Sequence, residues 1–290
     1  MERVYRNGDE DMIINIANHE GMIIWDGVYY FALSGYPHIT PWELKKLLVF
    51  MDYEKQHGRQ TEIMCENNEI LSAVKNAVAN PETVENAVLP SKITECTACK
   101  QHGCLTRFVC HTAEIENAKK ILSSGKLLSA LKASGRTVDE LIFDKRNAAG
   151  DPADYFDYIM FAWGNCIAGD SLVIERGFVK NHDRLPNQAE LNDANKKNLI
   201  TGIRFYFQYE DIIKHPGYVF DGYHPAKVKD ELVLTDYLYA CIVPEQYKNE
   251  LTDLVTPELS NRIHYLAQNG LGIMDWSERV YNFVEGLEIR

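Results

Sequence analysis

The stretch LTRFVCHTAEIENAKKILSSG, residues 105–125, carries the first reading of the fold. Its opening residues form a short apolar run of the buried-strand kind that ends at His111. Ile115, Ala118, Ile121 and Leu122 follow at helical spacing, and Gly125 closes that helix. The junction between the two elements is His111-Thr112. A helix N-terminus just beyond it would attract a phosphate, because its first backbone N–H groups have no partners within the helix.

Beyond this unit the chain continues mainly in strands. YFDYIMFAW, residues 155–163, is strand-like and strongly aromatic. A polar stretch over roughly 177–200 is too long for an ordinary connection and is expected to be a functional loop. GIRFYFQYED and DELVLTDYLYACIVPE supply further strands, and two helices are expected to finish the chain, the second opening at Asp275. Upstream, MIIWDGVYYFAL, residues 22–33, predicts a hairpin around Asp26-Gly27. Thr40, Pro41 and Glu43 form a capping-box signature, and Leu44, Leu47, Leu48 and Met51 then repeat at helical spacing. A second helix carries Ile70, Leu71, Val74, Ala77 and Val78 and stops at Pro81. The reading is α+β. A small α+β unit spans 1–90, a Cys-rich linker or knuckle spans 91–104, and a larger domain spans 105–290.

Composition narrows the function. Of 290 residues, 46% are hydrophobic and 25% charged, as in globular chains. No apolar run reaches the roughly 18 residues a membrane span needs, so no membrane partner is expected. The start, MERVYRNGDEDMII, lacks the basic and apolar regions of a secretory signal, which predicts a cytoplasmic protein. A net charge of −12 repels phosphate backbones and lowers the odds of a nucleic-acid acceptor.

Three features of the larger domain belong together. The first is Cys110-His111-Thr112 before a helix. The second is Tyr158-Ile159-Met160-Phe161-Ala162-Trp163, which leads into a segment containing Gly, Asn and Asp. The third is Asp230-Glu231 at the head of Leu232-Val233-Leu234, preceded by the Gly/Pro/aromatic loop FDGYHPAKVK. In their order, these motifs over roughly residues 105–250 resemble the ADP-ribosyltransferase superfamily, in its His-Tyr-Glu branch. They are also similar to nucleic-acid-modifying toxin transferases and to NAD-using RNA 2′-phosphotransferases. The resemblance implies split mixed or antiparallel sheets with flanking helices, and NAD⁺ as a substrate. It implies Glu231 and His111 as catalytic residues, with His111, Thr112, Tyr158, Phe161, Ala162 and Trp163 around the dinucleotide. Met160 stands where that branch has tyrosine, so Tyr158, Phe161 or Trp163 would cover the nicotinamide. Lys229 stands where arginine-modifying enzymes carry Glu or Gln, which argues against a protein arginine as acceptor.

The physical chemistry is consistent with that assignment. Cleavage of the nicotinamide–ribose bond builds positive charge at C1′. A fixed carboxylate at position 231 can stabilise that charge and can take a proton from the incoming nucleophile. An imidazole at 111 can bind a ribose through a ring nitrogen. The acceptor stays open among protein, small molecule and nucleic acid. A simpler account also stands: Glu231 as a solvated strand end, His111 as a core histidine, and Asp170 and Glu175-Arg176 as ordinary surface charges. A catalytically inactive nucleotide-binding or regulatory protein of the same fold is the second function class.

Seven cysteines are present, four of them between positions 96 and 110. Cys96, Cys99, His102 and Cys104 are zinc-competent, but the second pair stands too close to the first for the usual ribbon or finger. Reduced thiols in a loop are the leading reading. A zinc-stabilised interaction module is the alternative, with Zn as its cofactor.

Overall fold

The computed structural model describes residues 12–16, 28–31, 33, 35–88, 92–93, 104–105, 107–143, 152–165 and 202–287, with scattered positions between 170 and 194. The chain starts with a small β-α-β unit. Strand β1 (Met12–Asn15) is the middle of a three-stranded parallel sheet, flanked by β2 (Val28–Tyr30) and β3 (Thr61–Met64). Helix α1 (Pro41–Gln56) makes the crossover that parallel strands require. Its start follows the sequence signature: the Thr40 hydroxyl accepts from the Glu43 N–H, and the Glu43 carboxylate accepts from the Thr40 N–H at 2.8 Å. Helix α2 (Asn68–Ala79) is capped by Asn67, and α3 (Glu82–Glu85) follows Pro81. Of the hairpin expected over 22–33, residues 22–27 lie outside the described residues; Val28–Tyr30 is a strand that runs parallel to β1.

Two short strands, β4 (Lys92–Ile93) and β5 (Cys104–Leu105), pair antiparallel. The segment read first from the sequence becomes β6 (Phe108–Ala113) and α4 (Ile115–Ser124), closed by Gly125 in the left-handed region at φ 65°. The strand therefore runs two residues past His111. A short strand, β7 (Lys126–Leu128), follows. The aromatic stretch is a 3₁₀ turn over Ala153–Asp157 and then β8 (Tyr158–Trp163). The remaining strands are β9 (Ile203–Gln208), β10 (Tyr218–Val219), β11 (Ala226–Lys229), β12 (Glu231–Val233), β13 (Leu238–Pro244) and β14 (Ile263–Leu266). DELVLTDYLYACIVPE thus yields two strands, separated by a helical turn over Leu234–Tyr237. The expected pair of terminal helices is one long helix, Ile273–Glu285, preceded by short turns; Asp275 lies in its first turn.

Seven strands form a mixed, mostly antiparallel sheet in the order β10-β11-β8-β6-β9-β13-β14, with only β13 and β14 parallel. β12 leaves the sheet and pairs antiparallel with β7. Side chains alternate across the strands, so each strand serves two cores. Val109, Phe161, Phe205, Phe207, Ala226, Val228 and Val243 face one core, which Ala118 and Leu122 of α4 and Leu127 and Leu232 of the β7–β12 ribbon complete. On the other face, Phe108, Cys110, Tyr206, Ala240 and Ile242 pack under Trp276, Val280 and Val284 of the last helix. The β8–β11 end of that second face is covered by the N-terminal unit, through Leu47, Phe50, Tyr53, Tyr155 and partly buried Met160 and Tyr223. Burial on both faces explains why IRFYFQ in β9 is apolar almost throughout. Each fully buried Phe, Ile or Leu contributes about 1.5–3 kcal/mol.

The stretch over roughly 177–200, expected to be one polar loop, holds helical positions, among them Phe178, His182 and Glu190, and helical positions also precede it at Asp170 and Ile174. Asp170 is not a surface charge. It is buried and paired with Arg204 of β9 at 2.8 Å, and Ser277 of the last helix bonds both. Burial pushes its carboxyl above the ordinary range, although the Arg204 charge opposes this. Glu175 and Arg176 lie outside the described residues. Among the described residues no helix is long and apolar enough to cross a membrane.

Candidate functional site

Two of the three motifs singled out in the sequence fall on adjacent strands of the large sheet, and the third falls on the β7–β12 ribbon beyond it. His111 lies on β6, the aromatic run is β8 beside it, and β11 pairs with β8 and runs through Asp230 directly into Glu231. The pairing of β8 is divided. Residues 158–161 pair with β11, whereas only Ala162 and Trp163 pair with β6. The sheet therefore forks beside His111. Its Nδ1 reaches across the fork to the Met160 carbonyl at 3.3 Å, and its ring meets Phe161 edge-on at 6.4 Å. Burial holds the imidazole below its ordinary pKa, with the Met160 carbonyl opposing weakly, so the ring is neutral at pH 7.

Alternation sorts the expected dinucleotide contacts into two groups. His111, Phe161 and Trp163 share one face of the sheet. Thr112, Tyr158 and Ala162 lie in alternate register to them, on the other face. Thr112 is exposed opposite Arg204, and Tyr158 lies against Lys227. Met160 also belongs to that second face, packed on the N-terminal unit.

Glu231 is held at the top of the β7–β12 ribbon. Leu232 and Leu127 turn into the core, so Glu231 turns outward. Its carboxylate accepts from Lys126 Nζ at 2.9 Å and stands 3.7 Å from Lys132 Nζ, which also stands 3.6 Å from Asp230. The Lys126 hydrogen bond and charge hold Glu231 below the ordinary carboxylate range, so it is ionised at neutral pH. The residue before it, Asp230, adopts a left-handed backbone at φ 67°. That conformation is fixed on both sides: the Asp230 N–H donates to the Asp157 carbonyl at 2.9 Å, and its carbonyl accepts from the Ser129 N–H at 2.8 Å. Among the described residues no hydrogen bond or ion pair joins His111 to Glu231; the two groups have separate partners.

Lys126 and Lys132 were not singled out in the sequence. Lys126 follows the helix-closing Gly125, and only the pairing of β7 with β12 reveals its partner. Cys96, Cys99 and His102 lie outside the described residues, and Cys104 belongs to β5. Among the described residues no cluster of three or more His, Cys, Asp or Glu is arranged to hold a metal ion. Cys65, Cys110 and Cys241 are outside any disulfide, the last two buried in the sheet.

Fold and site together define an α+β protein with a mixed, mostly antiparallel seven-stranded sheet and a β-α-β unit against one face. Comparison with known proteins finds no matching family model, no matching curated protein and no matching solved structure.

Proposed function

We propose that the protein is an NAD⁺-dependent ADP-ribosyltransferase that transfers ADP-ribose to an acceptor and releases nicotinamide. The observation that supports this reading is the strand order β11-β8-β6. Two of the motifs lie on the neighbouring strands β6 and β8, with a fork in the sheet at His111, and β11 beside β8 leads through Asp230 into the third, Glu231 on β12. A sheet that divides there agrees with the split-sheet architecture the motifs imply.

In this reading the neutral His111 ring hydrogen-bonds a ribose hydroxyl, and half-buried Trp163, on the same face, supplies apolar cover for a planar ring, with Phe161 in the core beneath. As the C1′–N bond breaks, its electron pair leaves with nicotinamide and positive charge grows on the ribose. Glu231, ionised and prearranged by Asp230 and the ribbon, stabilises that charge. The acceptor's lone pair then forms the new bond to C1′, and its proton passes to Glu231. Lys126 and Lys132 pair with Glu231 and Asp230 and hold the Glu231 carboxylate in place. Met160 faces away from His111, so the aromatic groups on the His111 side are Phe161 and Trp163.

Incubation of the purified protein with NAD⁺ tests the proposal, with free nicotinamide as the readout. Time-dependent release, with or without added acceptor, is the expected result. Calorimetry that finds tight NAD⁺ binding with no release would favour the inactive, nucleotide-binding reading.

A further inference from the structure

Among the described residues a dense buried cluster of ionisable side chains lies away from His111 and Glu231, between the N-terminal unit and the sheet. Lys227 of β11 is fully buried. Its Nζ stands 4.1, 4.0 and 4.6 Å from the ring centroids of Tyr53, Tyr155 and Tyr158. It donates to the Tyr53 hydroxyl at 2.8 Å and pairs with buried Asp221 at 3.2 Å. The Tyr53 hydroxyl donates to Asp154 at 2.6 Å, and Arg59 bridges Asp154 at 2.7 Å and Glu54 at 2.5 Å. The Tyr29 and Tyr155 hydroxyls share a 2.5 Å hydrogen bond. Five of these groups come from the N-terminal unit: Tyr29, Tyr53, Glu54, Arg59 and, through a 3.7 Å approach to Asp154, His57.

Buried ion pairs of this kind add little net stability, since apolar replacements are often as stable. They do fix geometry, because a shift of either partner strands a charge. A second observation marks the same contact. A Cβ on Gly222 would lie 2.1 Å from the Lys46 carbonyl oxygen and 2.6 Å from the Phe50 nitrogen, so the loop before β11 rests directly on the α1 backbone. The cluster grips the 3₁₀ turn through Asp154 and Tyr155. That same turn offers the Asp157 carbonyl to the Asp230 N–H, one residue from Glu231.

We propose that the N-terminal unit clamps the strand that delivers Glu231, with Lys227 as the positioning residue that couples α1 to the left-handed Asp230. The kinetic consequence rests on the reading of Glu231 as the reacting carboxylate; the clamp itself does not.

Tyr53→Phe keeps the ring over Lys227 and deletes the hydroxyl that joins it to Asp154. Hydrogen exchange at residues 230–232 should rise at least about fivefold, since the hydroxyl's two hydrogen bonds, from Lys227 and to Asp154, are both lost. Exchange in β9 and β13 should stay at the parent level. Nicotinamide release should lose a similar factor in kcat, with KM within about twofold. The charge-neutral double variant Lys227→Met, Asp221→Asn should loosen the same residues. Unchanged exchange at 230–232 in both variants overturns the clamp, as does loosening spread equally over β9 and β13. Local loosening with unchanged kcat overturns the positioning role. If the parent releases no nicotinamide, the NAD⁺ reading fails and the exchange pattern alone decides the clamp.

Discussion

His111, His215 and His264 each have a pKa held below the ordinary value because burial disfavours the charged ring. The folded state therefore binds fewer protons than the unfolded chain as pH falls below about 6.5, and stability is lost through that window. Burial raises the Glu54 and Asp170 carboxyls, which work in the opposite sense at more acid pH. The contrast between parent and variant thus isolates the ring. The melting temperature should fall between pH 7 and pH 5.5, and His111→Gln should reduce that fall. An equal fall in both proteins would place the sensitivity elsewhere. At this scale the sequence was only partly legible. His111 and Glu231 stand out by type and position. Lys227 did not, since FDGYHPAKVK reads as a Gly/Pro/aromatic loop, in which lysines face water. Only coverage of β11 by α1 buries one of the two. Asp170 was misread for the same reason: its partner Arg204 is a distant residue of an apolar strand.

Elements whose signals are local were read well, and elements set by long-range pairing were not. The Thr40–Glu43 box and Gly125 act within one turn and are found as expected. The parallel use of β2, the departure of β12 from the sheet and the fork at β8 depend on partners far along the chain. The loop before β11 is the element most sensitive to a single change. Gly222 is in the left-handed region at φ 77° and has α1 backbone where a side chain would go. Gly222→Ala should cost about 2–4 kcal/mol, from backbone strain and overpacking together. Denaturant melts should show the midpoint shift. A midpoint equal to the parent's would mean that the loop does not bear on α1.

Among the described residues the N-terminal unit and the sheet share a core. Tyr155, Met160, Val219 and Tyr223 complete the core of the β-α-β unit, and the Lys227 cluster spans the same contact. The two parts should therefore unfold together in calorimetry, as one transition; two resolved transitions would contradict a shared core. The composition shift near residue 90 suggested a boundary in sequence, but neither periodicity nor charge could reveal how the two sides pack. At this scale the proposal joins a forked sheet, a neutral imidazole and an ionised carboxylate into one reaction. The rate of nicotinamide release by Glu231→Gln, set against the parent at saturating NAD⁺, tests it most directly. A loss of about 100-fold or more in kcat, with the melting temperature preserved, is the predicted result. Equal turnover by the two proteins would contradict it.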